Sequence, residues 1–466
     1  MAAPMAATGG HEHWSSRLGF LMAAVGSSVG LGNLWRFSAE AGQNGGGAFV
    51  LVYLLCVLFI GIPVLMSEYV IGRGSDKASA VQSVEDLAQQ SGDRPWWSLL
   101  AWIGMTAAFM VVCFYSTVAG WVIAYIPKFL MGAFSGESAK EIAAQFGALR
   151  NNHMAVIPYF SVFVVLTTWL VSRGVNKGIE WAGKVLMPIF FVLLVALALY
   201  SLVTGFSTQV EIDGKTVNAG GYALTWLFQP DFSKINLYVA SRALGQAFFS
   251  IGIGSAIMIT YGSYLQHGVN IPKSAAIVAL TDTGVALIAG LAIFPMVFAH
   301  GLSATSGAGL FFETLPIALV SAPGGNIIGT AFFVLAIFAA VTSSISLLEV
   351  STAWVIDKTG ISRPKAAWGL GVLMWVIGLG TVFSEKFFGF LDTTTGTLML
   401  PVSGLMVVLF VGWRLKKSIL DRELEGTSAA MIALLMFLVR YVAPIAVAVI
   451  LVTGVLEKYF HVNLFG

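Results

Sequence analysis

Apolar segments of membrane length recur along the whole of this 466-residue sequence, and they constrain its fold more than any other feature. A helix needs roughly 20 predominantly apolar residues to cross the hydrocarbon core of a bilayer. Only 10% of the residues are charged, whereas a soluble globular protein has about 25%. Because no long hydrophilic stretch separates the apolar segments, we expect a single membrane domain that is all-α and polytopic.

The hydropathy pattern predicts about 11 transmembrane helices, which begin near residues 14, 47, 97, 155, 180, 240, 275, 324, 364, 387 and 430. Helices one to five and six to ten form two corresponding halves in this interpretation. Repeat A covers about 14–204, repeat B covers about 240–415, and an extra helix follows at about 430–456. These three parts belong to one transmembrane domain that spans 1–466.

Basic residues are distributed unevenly between the predicted loops. With the N-terminus inside, about fifteen Lys and Arg lie on the cytoplasmic side and about eight on the other side, as the positive-inside rule requires. An odd number of helices then places the C-terminus outside the plasma (inner) membrane. The net charge of +2 does not point to a nucleic-acid partner. The two cysteines, Cys56 and Cys113, lie within predicted spans, where packing is their expected role.

Two predicted spans contain glycine-rich stretches that disfavour a continuous helix: GSSVGLG at Gly26–Gly32 in the first, and SIGIGSA at Ser250–Ala256 in the sixth. Glycine destabilises a helix by about 1 kcal/mol relative to alanine, and in hydrocarbon every freed backbone group needs a partner. Taken singly, such glycines are also typical of close helix packing. Their matching positions in the two halves favour paired helix breaks, which form the midplane binding site of secondary transporters.

These stretches resemble a known family. WSSRLGFLMAAVGSSVGLGNLWRF from Trp14, NGGGAF from Asn44, GQAFFSIGIG from Gly245 and VTSSIS from Val341 are similar to the neurotransmitter:sodium symporters, especially their bacterial amino-acid transporters. The likeness covers essentially the whole chain. It implies a 5+5 inverted repeat with helices one and six broken, and sodium-coupled symport of a neutral, hydrophobic amino acid by alternating access. It implies no enzymatic activity and no obligate protein partner.

The resemblance implies two sodium sites. The first consists of Ser28, Asn33, Ser250 and Asp282, with Thr281 as an alternative to Asp282. The second consists of Gly26, Val29, Ala339, Thr342 and Ser343. A carboxylate inside a membrane helix is costly and is a candidate functional residue on that ground as well.

Chloride is not expected to be required. Chloride-dependent relatives resemble one another in a serine one helical turn beyond the position of Asp282, and this chain has Ala286 there. The fixed carboxylate of Asp282 would then balance the sodium charge instead of an anion.

The resemblance also implies a substrate pocket, in which the backbone N–H groups of Gly30–Gly32 and the hydroxyl of Tyr115 bind a carboxylate. Amine-transporting relatives carry an aspartate at the position of Gly30, so an amino acid is favoured over a bare amine. Both small neutral and bulky aromatic amino acids remain open. The expected pocket residues are Ser27, Ser28, Gly30, Leu31, Gly32, Val111, Tyr115, Phe249, Gly252, Ser255, Ser343 and Leu347.

Two gates follow from the same resemblance. Arg36 and Asp392 would bridge above Phe249 on the outer side, and Trp14 and Asp357 would close the inner side. The basic residue that relatives place before the tryptophan is replaced here by His11, which either weakens this latch or belongs only to the N-terminal tail.

Three further features concern the path through the membrane. Glu68 either accepts hydrogen bonds from the broken helices or faces an aqueous vestibule. Glu349 lies toward the cytoplasmic vestibule, where it is either solvated or has a coupling role. GIEWAGKVLMP, Gly178–Pro188, has the glycine and proline spacing on which the fifth helix unwinds in relatives, although a plain kink is the alternative.

Three rival functions remain on the sequence alone. The same fold can run on protons, with Asp282, Glu68 or Glu349 titrating. A membrane-embedded hydrolase is disfavoured because His300 has no evident nucleophilic partner. Receptor-like binding without transport is the third.

Overall fold

The computed structural model describes residues 12–75, 77–212, 214–305 and 309–462. Within them, nine helices are long and apolar enough to cross a membrane, and a bent pair, Arg17–Ser28 with Gly32–Gln43, makes ten if it is one span. The predicted sixth span consists of two shorter helices, Leu237–Ile251 and Ile257–Ser263. The protein is therefore a multi-pass, helical membrane protein, and the count of eleven stays a prediction.

The helices are labelled here in chain order. They are α1 Arg17–Ser28, α2 Gly32–Gln43, α3 Gly47–Gly74, α4 Ala80–Gln90, α5 Pro95–Leu130, α6 Ala139–Asn151, α7 His153–Ser172, α8 Val175–Phe206, α9 Ala219–Phe228, α10 Leu237–Ile251, α11 Ile257–Ser263, α12 Ile271–Ala299, α13 Leu310–Ser321, α14 Gly325–Thr359, α15 Arg363–Phe383, α16 Glu385–Arg414, α17 Lys417–Glu423 and α18 Ala429–Phe460. A short antiparallel hairpin, β1 Gln209–Ile212 and β2 Lys215–Asn218, pairs Gln209 with Asn218. Hydropathy alone did not predict this hairpin.

The first span breaks after Ser28. Helix α1 begins at a normal cap, where the Gly19 N–H donates to the Ser16 hydroxyl at 3.0 Å. At Val29 the backbone is extended, with φ −73° and ψ 109°, so the helix cannot continue. It resumes at Gly32 with an axis bent by 49°. The predicted break is confirmed.

The sixth span breaks at Gly252, which has a left-handed φ of +76°, and Gly254 follows with a φ of +79°. A Cβ on Gly254 would lie 2.2 Å from the Leu400 carbonyl oxygen, so only glycine fits this close approach. Ala256 also has a positive φ, of +59°, before α11 begins. This second predicted break is likewise confirmed.

The helices divide into a buried centre and a lipid-facing periphery. In the most apolar window of each helix, 78% of the residues of α5 and α14 are buried, against 33% for α8 and α18. Val192 on α8 and Ile445 on α18 are examples of the apolar side chains left exposed. These exposed apolar side chains are suited to contact with the hydrocarbon of the bilayer. The more deeply buried α5 and α14 form the centre of the bundle, against which the broken helices pack.

The stretch Gly178–Pro188 is helical in this structure. Its first residues belong to a π-helical turn, Val175–Glu180, and the rest lies in the regular α-helical part of α8, which continues past Pro188. Local unwinding of this segment stays a prediction.

Candidate functional site

The two helix breaks lie against each other in the middle of the bundle. The Ser28 hydroxyl, at the end of α1, donates to the Ile251 carbonyl at the end of α10 at 3.2 Å. The Gln246 amide on α10 donates to the Gly32 carbonyl at the start of α2 at 3.1 Å. Backbone groups that each span leaves free are thus placed at one site, as the paired glycine stretches indicated.

A fully buried polar cluster joins the first break to α12. The Asn33 side chain donates to the Asp282 carboxylate at 2.7 Å and to the Ser250 hydroxyl at 3.1 Å, and the Ser250 hydroxyl donates to Asp282 at 2.8 Å. The Asn33 side-chain oxygen accepts from the Gly30 N–H at 2.9 Å. Asp282 is 0% exposed. Among the described hydrogen bonds, none joins the half-buried Thr281 to this cluster, so the structure brings Asp282 into it.

The donor types in this cluster suit a hard cation with oxygen ligands. The cluster contains the Asp282 carboxylate, the Asn33 amide oxygen and the Ser250 hydroxyl, and the Ser28 hydroxyl bonds to the carbonyl of Ile251, the residue after Ser250. In the described residues no three His, Cys, Asp or Glu side chains form a transition-metal set. Oxygen atoms with a single acid favour a monovalent hard ion over zinc or iron.

A second group of oxygens lies where α14 crosses α1. The Ser343 hydroxyl donates to the Val29 carbonyl at 3.2 Å, and the Thr342 hydroxyl donates to the Ala339 carbonyl at 3.1 Å. A Cβ on Gly26 would lie 3.2 Å from the Thr342 Cβ, so the two backbones are close here. All five residues expected for the second site therefore converge.

A cavity of about 60 Å³ lies between the breaks, α5 and α14. It is lined by Ser27, Ser28, Gly30, Gly32, Val111, Tyr115, Phe249, Ser250, Gly252, Ser255, Ile257, Ser343, Leu347 and Leu400. Leu31, the remaining expected residue, contributes its N–H, which donates to the Tyr115 hydroxyl at 3.1 Å. Ile257 and Leu400 were not predicted as pocket residues, because the sequence does not distinguish an apolar helical residue in a pocket wall from one in the core.

Glycines keep the backbone of the first break accessible to this cavity. A Cβ on Gly30 would lie 2.6 Å from the Ser343 hydroxyl and 3.1 Å from the Tyr115 hydroxyl. The Ser27 hydroxyl is buried and has no hydrogen-bond partner among the described residues. The cavity is therefore lined by hydroxyl and backbone groups as well as by apolar side chains.

Glu68 on α3 stabilises the second break. It is 0% exposed, and its carboxylate accepts from the Gly254 N–H at 2.7 Å. A backbone N–H freed in hydrocarbon needs such an acceptor. Of the two roles open for Glu68, the structure has the hydrogen bond to the broken helix.

We call the end of the bundle that contains Asp392 the Asp392 side. A cavity of about 320 Å³ opens there, and Arg36, Asp392, Tyr115 and Phe249 are among the residues that line it. The Arg36 guanidinium lies over the Phe249 ring, 4.2 Å from its centroid. Gly32, Tyr115 and Phe249 line both this cavity and the smaller one, so they form the wall between the two.

The expected ion pair between Arg36 and Asp392 is not among the ion pairs of the described residues. The guanidinium instead stacks on Phe249. The nearby ion pair that the structure does contain is Glu40 with Arg242, whose Nε lies 3.0 Å from the carboxylate. Sequence reasoning did not identify this pair, since neither residue belongs to a motif.

The opposite end, which contains Trp14 and which we call the Trp14 side, is closed. Trp14 is 3% exposed, and its indole N–H donates to the Tyr261 carbonyl at 3.0 Å. One carboxylate oxygen of Asp357 is buried without a hydrogen-bond partner in the described part of the chain. His11, the residue expected near it, lies outside the described residues.

An ionic cluster that the sequence analysis did not predict ties this side together. Arg363, at the start of α15, pairs with Glu349 at 2.7 Å and with Glu12 at 3.0 Å. The Tyr264 hydroxyl donates to Glu349 at 2.8 Å. Glu349 is 0% exposed, so it is paired in the interior rather than solvated. We call Glu12, Tyr264, Glu349 and Arg363 the Arg363 cluster.

Known proteins are similar to this chain in sequence and in structure. The chain is 35% identical over 451 residues to the uncharacterized sodium-dependent transporter YhdH of Bacillus subtilis, covering 94% of this chain and 96% of that protein. It is 31% identical over 462 residues to an uncharacterized sodium-dependent transporter of Haemophilus influenzae, covering 95% and 98%. Among solved structures, MhsT in complex with L-phenylalanine matches with a TM-score of 0.85 and 38% identity over 96% of this chain and all of that one.

The model of the sodium:neurotransmitter symporter family matches residues 11–145 and 143–463, which is nearly the whole sequence. The relatives are named sodium-dependent transporters. With its broken helices and near-complete match, the chain belongs to the sodium:neurotransmitter symporter family, as a sodium-dependent transporter and not an enzyme.

Proposed function

We propose that this protein is a symporter that uses the sodium gradient to drive uptake of a neutral, hydrophobic amino acid by alternating access. The observation that carries the proposal is the meeting of the two helix breaks at a small cavity, with the Asn33, Ser250 and Asp282 cluster beside it. Freed backbone groups there need partners in the membrane, and a zwitterion with ions supplies them.

The substrate carboxylate lies, in this proposal, against the N–H groups of Gly30, Leu31 and Gly32. They stand at the N-terminal end of α2, where the helix dipole favours negative charge. Tyr115, whose hydroxyl accepts from the Leu31 N–H, would turn to donate to the carboxylate instead. The full set of proposed substrate residues is Ser27, Ser28, Gly30, Leu31, Gly32, Val111, Tyr115, Phe249, Gly252, Ser255, Ser343 and Leu347.

The side chain of the substrate would lie against Val111, Phe249 and Leu347, together with Ile257 and Leu400. A hydrophobic amino acid is supported by the apolar wall and by the L-phenylalanine in the MhsT complex. The cavity of about 60 Å³ has room for only a few waters, so a bulky side chain requires the lining residues to move.

Two sodium ions are co-substrates in this mechanism. One binds Ser28, Asn33, Ser250, Asp282 and the substrate carboxylate, which couples ion to amino acid directly. The other binds Gly26, Val29, Ala339, Thr342 and Ser343, where α14 contacts the break in the first span. Neutral oxygens predominate at both sites, so sodium needs no change in protonation to bind or leave.

Chloride is not required in this proposal. The carboxylate of Asp282 is held by two hydrogen bonds and supplies a fixed negative charge beside the first ion. Ala286, one turn later on α12, has no hydroxyl to bind an anion.

The gates act in alternation. Phe249 closes over the substrate and Arg36 bridges to Asp392 on the outer side, while Trp14 and Asp357, together with the Arg363 cluster, hold the inner side. The N-terminus is then cytoplasmic and the C-terminus outside. Repeat A (about 14–204) and repeat B (about 240–415) move around the fixed site, with the helix at about 430–456 outside the repeats.

The proposal is tested by thermal stability of the purified protein with each of the twenty amino acids, in sodium and in choline. A neutral, hydrophobic amino acid is expected to raise the melting temperature in sodium alone, because ligand binding stabilises the folded state and the ion completes the site. Uptake into proteoliposomes with a sodium gradient then checks transport.

The proton-coupled alternative has one observation in its favour: the second carboxylate oxygen of Glu68 is buried without a partner among the described residues, as in a protonated acid. Stabilisation that is equal in sodium and choline, with uptake driven by a pH gradient, would support this alternative and contradict sodium coupling.

A further inference from the structure

The last helix, α18, comes very close to the outer half of α16. A Cβ on Gly454 would lie 2.9 Å from the Thr397 side chain, so the absence of a side chain permits this approach. One turn later, the Tyr459 hydroxyl donates to the Thr394 hydroxyl at 3.4 Å. These two contacts hold the end of α18 against the segment of α16 that carries Asp392.

Lys458 is thereby brought to the cavity on the Asp392 side, which we call the vestibule. Residues four apart share one face of a helix, so Lys458 lies on the same face as Gly454 and one turn further out. It lines the cavity of about 320 Å³ together with Arg36 and Asp392. Its side chain is 46% exposed and touches one acid, its neighbour Glu457, at 3.7 Å.

Asp392 therefore faces two cations. Arg36 and Lys458 are the groups that attract its carboxylate, and the described ion pairs include neither of them with Asp392. Arg36 is stacked on Phe249 and also lies in the field of Glu40 and Arg242. A carboxylate between two cations is shared, and removing one cation leaves it to the other.

We propose that Lys458 is a positioning residue of the outer gate, which competes with Arg36 for the Asp392 carboxylate and so favours the open gate. While Lys458 attracts the carboxylate, Arg36 stays on Phe249 and the vestibule is accessible. Closure transfers Asp392 to Arg36. This inference rests on the proposed function for the direction of transport, but the competition itself requires only the geometry of the three charges.

The test measures access to the vestibule rather than transport. Ala39 lines the cavity, and the two native cysteines are buried, so Ala39→Cys provides one reactive site for a membrane-impermeant maleimide. In sodium without amino acid, Lys458→Met is expected to slow labelling by about two- to fivefold, as for loss of a partly exposed charge interaction. Lys458→Arg should restore the parental rate, since it keeps the charge.

A double-mutant cycle separates this role from a merely structural one. In an Asp392→Asn background, Lys458→Met should leave the labelling rate unchanged, because no carboxylate remains to compete for. Lys386→Met, an exposed lysine near the start of α16 that does not line the cavity, is the matched control and should label like the parent.

A second variant moves the charge without removing it. Gly454→Val is expected to push the end of α18 away from Thr397 and to slow labelling as well. Parental labelling of both Lys458→Met and Gly454→Val, faster labelling of Lys458→Met, or an equal effect of Lys458→Met in the Asp392→Asn background would overturn the proposal. Sodium-insensitive labelling of the parent would instead contradict the proposed function, so the two failures are distinguishable.

Discussion

The two ends of the bundle differ in how their charges are arranged. On the Trp14 side, Arg363 is paired with Glu349 and Glu12, and Glu349 is completely buried. On the Asp392 side, Arg36 and Asp392 line an open cavity of about 320 Å³ without pairing to each other in the described structure. On the Trp14 side Arg363 is paired with its acids, whereas on the Asp392 side Arg36 and Asp392 are apart beside the formed pair of Glu40 with Arg242.

In an alternating-access mechanism each state is open at one end of the protein and closed at the other. The two ends of this structure differ in that way. Among the described residues, Gly32, Tyr115 and Phe249 line both the small central cavity and the vestibule on the Asp392 side. Trp14 and the Arg363 cluster block the other exit. The central site lies between them, and Asn33, Ser250 and Asp282 are hydrogen-bonded to one another there.

The largest effect is expected at the central site, which both ends share. Asp282→Ala removes an acceptor that pairs with Asn33 and Ser250 in a fully buried cluster. Sodium-dependent amino-acid binding should weaken by about 100-fold or more, because the variant loses a proposed sodium ligand and two hydrogen bonds to a charged group, each about 1.5–3 kcal/mol. Binding is measured by scintillation proximity over a range of sodium concentrations.

Thr281→Ala is the control for this prediction, because Thr281 is half-buried and outside the cluster. It should bind like the parent. Equal losses in the two variants would contradict the assignment of Asp282 to the first sodium site.

The next largest effect tests the closed end. Arg363→Gln leaves Glu349 buried without its cation. The Trp14 side should open, and apparent affinity for the amino acid should fall by at least about tenfold, because the population shifts toward a state that does not retain ligand. The assay is equilibrium binding of the amino acid to the purified protein.

Lys365→Gln, an exposed lysine on the same helix, is the matched control. The double variant Arg363→Gln with Glu349→Gln should regain part of the affinity, as no buried charge is then left unpaired. If the double variant were as weak as Arg363→Gln alone, the ionic cluster would not be what closes this end.

A smaller effect is expected from narrowing the site while both ends are intact. In Gly30→Ala the new methyl would lie 2.6 Å from the Ser343 hydroxyl, so Ser343 or the backbone of the first break has to shift. Amino-acid affinity should fall by about tenfold or less, in the range of a modest overpacking strain. Isothermal titration of the purified protein measures it.

Gly284→Ala on α12 provides the comparison, since a Cβ there meets no atom within 4 Å. It should leave affinity unchanged. A parental affinity for Gly30→Ala would mean that the N–H groups of the first break are not the carboxylate site.

The smallest expected effect concerns the anion. Replacing chloride by gluconate at constant sodium should change uptake less than about twofold, because in the proposed mechanism the carboxylate of Asp282 balances the charge of the first sodium ion. Loss of uptake would contradict that charge balance. In the double variant Asp282→Asn with Ala286→Ser, any remaining uptake should depend on chloride, as the fixed charge is replaced by an anion site.

Much of this protein follows from its sequence. The apolar runs predict the membrane helices because hydrocarbon requires long, uncharged, internally hydrogen-bonded segments. The glycines of Gly26–Gly32 and Ser250–Ala256 predict the breaks, since few other residues tolerate the positive φ values at Gly252 and Gly254. A single carboxylate in an apolar span marks Asp282 as a candidate functional residue without any coordinates.

Other features were decided only by the packing of distant segments. The choice between Asp282 and Thr281 depended on which face of α12 meets Asn33. Neighbouring residues of a helix point in different directions, and the sequence pattern does not fix how α12 is rotated about its axis. Arg363 and Glu349 are 14 positions apart on different helices, and Glu12 joins them from the N-terminal segment, so no local motif marks the cluster. Local propensities and hydropathy act within a few residues along the chain, whereas ion pairs and cavity walls arise from the angles and depths at which separate helices cross.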